Sequence, residues 1–116
     1  MKALVINLQP QRSPGFDPKS VRDLVEGLKS NSDLIKSLSV TAGDDNGPYT
    51  NVYVETRDVA ALWELMREEL FSHPVAGPHL KRAAIVVCEG NAGWDDYLLL
   101  HHFNPAEPLD TLDDNR

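Results

Sequence analysis

The sequence is short of the residues on which several classes of protein depend. It has one cysteine, Cys88, among 116 residues, so no disulfide can form within the chain. Basic residues are also scarce, because 11 Lys and Arg stand against 18 Asp and Glu, for a formal net charge of −7. No apolar run approaches the roughly 20 residues that a membrane-spanning helix needs. The composition therefore excludes a disulfide scaffold, a membrane span and a disordered or collagen-like chain.

What remains is the composition of an ordinary globular domain. Hydrophobic residues make up 41% and charged residues 25% of the chain, and a chain of this length forms one domain. We expect an α+β domain over residues 1–104 and an acidic, frayed tail over residues 105–116. The apolar stretch after Lys2 is interrupted by Asn7 and is too short for the core of a signal peptide, which predicts a cytoplasmic protein.

The charge is unevenly distributed along the chain. Residues 1–42 carry a net charge of +2, residues 43–79 carry −5 and residues 80–116 carry −4. An acidic field repels phosphate groups, so we expect neither nucleic acid nor an anionic membrane as a partner. The charge favours a basic protein partner, although acidic residues also simply keep a small protein soluble.

Hydrophobic periodicity predicts five strands and two helices. Alternation and short apolar runs indicate the strands. A stripe at i, i+3, i+4 and i+7 from Val21 to Leu28 indicates the first helix, and a similar stripe from Val59 to Leu70 indicates the second. Prolines and a glycine between residues 73 and 78 predict a loop. The predicted strands span residues 3–8, 37–42, 52–54, 82–89 and 97–103, and the helices follow caps at Asp17 and at Thr56 or Asp58.

The element order β-α-β-β-α-β-β resembles the ferredoxin-like split βαβ arrangement, with an extra C-terminal antiparallel edge strand. With right-handed crossovers, the resemblance implies a five-stranded sheet of order 5-4-1-3-2 with both helices on one face. Such a fold hosts many functions, so the resemblance assigns none. Cys88 falls in the apolar run of the fourth strand, where we expect a buried structural thiol and not a nucleophile.

The sheet face opposite the helices is expected to be apolar and uncovered. If Leu4, Ile6 and Leu8 face the helices, then Val5 and Tyr53 point the other way. The fourth and fifth strands add further apolar residues to this open face, whichever way they are oriented. Large exposed apolar patches mark interfaces. We therefore predict a homodimer or another protein contact through the open face.

Two acidic turns supply the candidate partner-binding residues. One turn contains Asp44 and Asp45, and the other contains Trp94, Asp95 and Asp96. The turns lie at opposite ends of the predicted sheet, so their carboxylates cannot form one catalytic pair. Tryptophan offers a large contact area at low entropic cost, which favours a binding role for the second turn. The alternative for Trp94 is a structural lid on the core.

A metal site is a weaker hypothesis. Asp44, Asp45, His73 and His79 would lie at one end of the predicted sheet, and carboxylates with imidazoles suit zinc or iron. Their spacing, however, matches no known zinc or EF-hand pattern, and Asp-Asp-Asn-Gly is typical of a tight turn. We therefore expect neither a metal nor a cofactor.

No catalytic constellation is recognisable in the sequence. It has no nucleophile elbow and no phosphate-binding glycine loop, and His101 and His102, as neighbours in a strand, should point to opposite faces. We predict a non-enzymatic, acidic protein-binding module, an inhibitor of the immunity or antitoxin type that occludes a basic surface of its partner. The alternative is a small dimeric enzyme or ligand-binding domain with a pocket between sheet and helices, lined by Tyr53, Trp63, His101 and His102.

Overall fold

A computed structural model describes residues 1–112 as an α+β domain with three helices and five strands. A 3-10 turn, Pro10–Arg12, lies in the loop after the first strand, and a π-helical turn, Arg67–Phe71, continues the second helix. The elements are β1 Lys2–Leu8, α1 Pro18–Asn31, β2 Ser37–Asp44, β3 Pro48–Thr56, α2 Val59–Met66, α3 Ala76–Ala83, β4 Ala84–Gly90 and β5 Gly93–His101.

The helices begin where the sequence supplies hydrogen-bond acceptors. The Asp17 carboxylate accepts a hydrogen bond from the Lys19 amide at 3.0 Å, and Pro18 occupies the first turn of α1, where a proline loses no hydrogen bond. Asp58 caps α2 by accepting from the Ala61 amide at 3.0 Å. Of the two predicted caps, Asp58 is therefore the N-cap, and Thr56 Oγ1 instead accepts from the Asp58 amide.

The strands form one open antiparallel sheet in the order β2-β3-β1-β4-β5. Counted from the other edge, this is the predicted order. Alternate residues of each inner strand are buried, such as Leu4, Val54 and Cys88, which are aligned across β1, β3 and β4. They share one hydrophobic core with the buried faces of the three helices. Cys88 is completely buried, as expected.

The helix α3 is the main departure from the predicted elements. Residues 73–78 were expected to be a loop and the fourth strand was expected to begin at residue 82. Instead α3 covers Ala76–Ala83 and buries Ala76, Leu80 and Ala83 against the core. Pro78 lies in the first turn of the helix, where it breaks no hydrogen bond. The N-cap residue is Val75, whose side chain makes no capping hydrogen bond. Two residues earlier, His73 Nδ1 accepts from the Val75 and Ala76 amides at 3.1 Å each.

The end of β5 is also different from the expectation. Register shifts by one residue between the pairs Val87–Leu99 and Val86–His101, which is the signature of a β-bulge on β5. Beyond the strand, the Asp110 amide donates to the Leu99 carbonyl oxygen at 2.8 Å and the Asp110 carboxylate accepts from the Leu99 amide at 2.8 Å. The tail that we expected to fray is thus docked on β5 near residue 110. Its last acids, Asp113 and Asp114, lie outside the described residues.

Candidate protein-binding hairpin

The hairpin between β4 and β5 carries the most exposed aromatic side chains of the domain. Trp94 is 41% exposed and Tyr97 is 57% exposed, whereas the neighbouring Leu98 is 6% exposed and packs into the core. Asp95 and Asp96 are also exposed. Trp94 therefore does not close over the core as a lid. Tyr97 was not among the predicted contact residues, although its place in the strand next to the buried Leu98 puts it on the opposite side.

Backbone geometry fixes the shape of this hairpin. Gly93 has a φ of +75°, a conformation that residues with a Cβ atom rarely adopt. At Gly90, a Cβ atom would overlap the carbonyl oxygen of Asp96 on the adjacent strand. The two glycines allow β4 and β5 to approach closely at the turn, and this approach holds residues 94–97 at the end of the sheet. The backbone conformation of the hairpin is thus set by these two glycines.

The carboxylates of the hairpin are not neutralised within the described part of the chain. The ion pairs among residues 1–112 join Arg22 with Asp23 and Glu26, and Arg67 with Glu64. Neither Asp95 nor Asp96 takes part in one. Two acids between two exposed aromatic residues can attract a cationic surface electrostatically, while Trp94 and Tyr97 supply the apolar contact area.

The other predicted acidic turn occupies the diagonally opposite corner of the sheet. Asp44 and Asp45 lie at the β2–β3 turn, and both are exposed. The Asp44 carboxylate accepts from the Gly47 amide at 3.3 Å, so this acid also shapes the turn. Strand spacing and rise place the two turns roughly 30 Å apart. One compact contact therefore includes one of the two turns, as the topology predicted.

An aromatic cleft lies between α2 and the C-terminal end of β5. Its volume is about 920 Å³ and its walls include Trp63, Phe71, His101 and the tail residues Leu109 and Leu112. The Phe71 ring stacks edge to face with Trp63 and with His101, at centroid distances of 5.4 and 4.8 Å. Arg67, Lys81 and Asp110 add charges of both signs to the rim. The bulge in β5 turns His101 toward the helices and into this cleft.

Burial lowers the pKa of His101 below its ordinary value. A hydrogen bond from Nε2 to the Leu80 carbonyl oxygen, 3.2 Å long, opposes this effect, and the positive charges of His102 and Lys81 reinforce it. The imidazole is therefore held in its neutral form over a wider pH range than that of an exposed histidine. Because Nε2–H donates to Leu80, the neutral imidazole has Nδ1 left to accept one hydrogen bond from a ligand in the cleft.

The cleft unites two of the four residues predicted to line a pocket. Trp63 and His101 both line it, but Tyr53 lies on the opposite face of the sheet, where it is paired with Val5. His102 lies beyond the end of β5, stacked against Phe103 at 4.4 Å, with its Nδ1 accepting from the Asn104 amide. The predicted pocket of four residues is therefore not formed as a unit.

The residues of the metal hypothesis do not converge either. His79 Nδ1 lies 2.6 Å from Ser13 Oγ and the ring stacks on Phe16 at 5.1 Å, while His73 Nδ1 accepts from the amides at the start of α3. Within residues 1–112, no three His, Cys, Asp or Glu side chains are placed to hold a metal ion. The Ser13–His79 pair was missed by the sequence analysis. Ser13 is only 1% exposed, so its hydroxyl anchors the β1–α1 loop to α3 and is closed to a substrate.

No helix among residues 1–112 covers the open face of the sheet. The half-buried apolar side chains near its centre are Val5, Tyr53, Ile85, Val87 and Leu99. The pair Asn7–Asn51, joined by a 2.7 Å hydrogen bond, borders this patch at one end, and Glu55 borders it at the other. The face thus has an apolar centre and a polar border, which is the pattern of an interface.

Comparisons of the chain with protein-family models, with curated proteins and with solved structures found no match. Among residues 1–112, no helix combines the length and the apolar character needed to span a lipid bilayer. The surfaces and the cleft described above are therefore the basis for an argument about function.

Proposed function

We propose that the protein is a non-enzymatic protein-binding module that contacts a basic surface of its partner through the β4–β5 hairpin. The observation that carries the proposal is the exposure of Trp94 and Tyr97 on either side of two acids that take part in no ion pair among residues 1–112. Exposed aromatic residues are unfavourable in water and are enriched among the residues that dominate binding energy. The hairpin therefore has both an apolar anchor and a charge for recognition.

The charge of the whole chain supports the same kind of partner. A formal net charge of −7 on 116 residues produces a long-range negative field. Such a field accelerates encounters with a basic protein and disfavours nucleic acid. In its finer form the proposal is an inhibitor of the immunity or antitoxin type, which acts in the cytoplasm and covers a basic active-site cleft. Its scaffold would be a ferredoxin-like core extended by β5.

The test compares capture of proteins from the native source by the immobilised domain and by two charge variants. Asp95→Lys should weaken binding about a hundredfold, since it replaces an attractive by a repulsive contact at the centre of the interface. The matched control is Glu68→Lys, which makes the same change of charge on the exposed π-helical turn and should alter binding less than about threefold. Equal capture by wild type and Asp95→Lys would overturn the proposal.

A second candidate function rests on the aromatic cleft. The edge-to-face series Trp63–Phe71–His101, which lines the cleft, suits contact with a small aromatic ligand. Trp94→Phe leaves Trp63 as the remaining tryptophan of the two in the sequence, so its fluorescence would report on the cleft. Titration with benzoate and with benzamidine separates an anionic from a cationic preference. A saturable change with either compound, abolished by His101→Ala, would favour this function, whereas no change would remove it.

A further inference from the structure

Strand β2 forms one edge of the sheet, and no strand among residues 1–112 pairs with its outer side. All eight of its residues pair in continuous register with β3, from Ser37–Glu55 to Asp44–Pro48. The middle residues 39–42 are all exposed, and Val40 is 38% exposed. Between Lys36 and Asp44 the strand contains no charge, no proline and no bulge. Charges, prolines and bulges are the features by which natural edge strands avoid pairing with another chain, so this stretch of β2 lacks that protection.

The position of Pro48 determines which backbone groups of β2 face outward. Pro48 has no amide hydrogen, so the pair Asp44–Pro48 cannot exchange hydrogen bonds. Hydrogen-bonded and non-hydrogen-bonded pairs alternate in an antiparallel ladder. The odd-numbered residues of β2 therefore form hydrogen bonds with β3. Asp45, the odd-numbered residue just after the strand, fits this alternation, since its amide donates to the Gly47 carbonyl oxygen at 3.0 Å. The amide and carbonyl groups of Leu38, Val40 and Ala42 point away from the sheet.

The opposite charges at the two ends of β2 favour a second copy of this chain as the partner and an antiparallel register centred on residue 40. Lys36 precedes the strand and Asp44 ends it, eight residues later. Lys36 itself lies at a bend just before the strand, where its amide donates to the Glu55 carbonyl oxygen at 2.9 Å. If a second copy of β2 pairs antiparallel with residue 40 opposite residue 40, the Lys36 end of each strand lies beside the Asp44 end of the other. The same register places Leu38 opposite Ala42, so outward-facing backbone groups meet one another throughout. Registers shifted by two residues keep the backbone match but move the oppositely charged ends apart.

We propose that two copies of this chain associate through β2 about a two-fold axis at Val40, which joins their sheets into one continuous ten-stranded sheet. About six backbone hydrogen bonds form, two for each of the pairs 38–42, 40–40 and 42–38. Val40, which is 38% exposed, then lies opposite Val40 of the second copy, and the half-buried Leu38 lies opposite Ala42. On the other face Ser39 lies opposite Thr41, a favourable cross-strand pair. The association is independent of the β4–β5 hairpin, which lies at the opposite edge.

A charge-exchange experiment tests the partner and the register together. Sedimentation equilibrium over a range of protein concentrations measures the dimer dissociation constant. Lys36→Glu alone and Asp44→Lys alone should each raise it about tenfold, because two symmetry-related attractive pairs become repulsive. The double variant, which exchanges the two charges, should restore the wild-type value to within about threefold. Circular dichroism of each variant separates loss of pairing from loss of folding.

A cysteine scan locates the two-fold axis. Val40→Cys should form an intermolecular disulfide most readily, because residues directly opposite in a hydrogen-bonded pair have Cα atoms about 5.5 Å apart, within the range that a disulfide spans. Ser39→Cys and Thr41→Cys are the matched controls, since each lies diagonally from its own copy and should cross-link more slowly. The native Cys88 is completely buried and does not compete.

Variants on the two surfaces distinguish a dimer formed through the edge strand β2 from one formed through the open face of the sheet. Dimer loss in Val40→Lys with retention in Tyr53→Arg, a variant of the open face, supports the proposal. The reverse result would move the interface to the open face and overturn it. A protein that remains monomeric at about millimolar concentration, a double charge variant that dimerises no better than the single variants, or a cross-linking maximum away from residue 40 would each overturn it as well.

Discussion

The two edges of the sheet are built in opposite ways. At one edge, β5 carries a bulge and receives a segment of the tail, since Asp110 hydrogen-bonds both the amide and the carbonyl group of Leu99. At the other edge, β2 pairs without a break with β3, and no charge interrupts it between Lys36 and Asp44. An unprotected edge is a template for strand addition. The difference indicates that β5 is closed to pairing over part of its length, whereas β2 is available for it.

The largest loss of stability is expected at the β4–β5 turn, next to the edge strand that the tail covers. Gly90→Ala places a methyl group against the Asp96 carbonyl oxygen, so β4 and β5 must separate. We expect a loss of about 2–3 kcal/mol in the free energy of unfolding, measured by urea denaturation. The control is Gly27→Ala in α1, where a Cβ atom meets nothing within 4 Å. It should instead stabilise the protein by about 0.5–1 kcal/mol. A neutral Gly90→Ala would show that the hairpin is not closely packed.

Removal of the Asp110 side chain tests whether the C-terminal segment covers the outer side of β5 at Leu99. Asp110→Ala deletes the acceptor for the Leu99 amide. We expect the hydrogen exchange of that amide to accelerate more than about tenfold, with a loss of roughly 1 kcal/mol or less in global stability, because the site is exposed. Asp110→Asn retains an oxygen acceptor and should preserve most of the protection. Unchanged exchange in Asp110→Ala would mean that the tail does not cover the edge.

Acidification should weaken the β5 edge through His101. Its pKa is lowered by burial in the folded protein, while the unfolded chain has the ordinary histidine value of about 6.5. The unfolded state therefore binds the proton first, and the stability present above about pH 6.5 is lost as the pH falls through the folded pKa. Denaturation at pH 7.5 and pH 5 measures the slope. His101→Gln should reduce it, and His102→Gln should reduce it less, because burial is the larger cause of the lowered pKa of His101 and the charge of His102 a smaller one. Equal slopes would remove His101 as the cause.

The smallest effect on stability is expected at the open edge. Val40→Lys places a charge on an exposed position of β2 and should change the free energy of unfolding of the isolated domain by less than about 0.5 kcal/mol. The same change on both strands of a β2 pair opposes two like charges and should abolish association. Matched unfolding and sedimentation measurements on one sample show whether the two effects separate. A large loss of monomer stability would contradict the open character of this edge.

Much of the sheet could be predicted because its signals are local. Alternation placed Leu4, Ile6 and Leu8 on the helix side, and the buried faces of the neighbouring strands followed the same rule. The half-buried character expected of β2 was wrong at Val40 and Ala42. Alternation shows that one side of a strand is apolar, but the position of a strand at the edge, beyond the cover of the helices, depends on the whole sheet.

Helix α3 could not be predicted from local signals. Pro78 and Gly77 are typical of loops, and the N-cap residue of this helix is Val75, which lacks the side-chain acceptor of serine, threonine or aspartate. The helix is stabilised by the burial of Ala76 and Leu80 against the core, which is a tertiary contact. The sheet face on which His101 lies could not be predicted for a similar reason, since a β-bulge depends on the pairing of two strands.

The sequence by itself determined the α+β class of the domain and its acidic charge. These follow from periodicity and composition, which can be read along the chain, whereas the strand order was implied by the resemblance to a known arrangement with right-handed crossovers. Only the tertiary structure decided which edge is covered, which aromatic residues remain in water and which histidine is buried. Exposure is the result of every element that packs nearby, so it exists only after residues distant in sequence have come together.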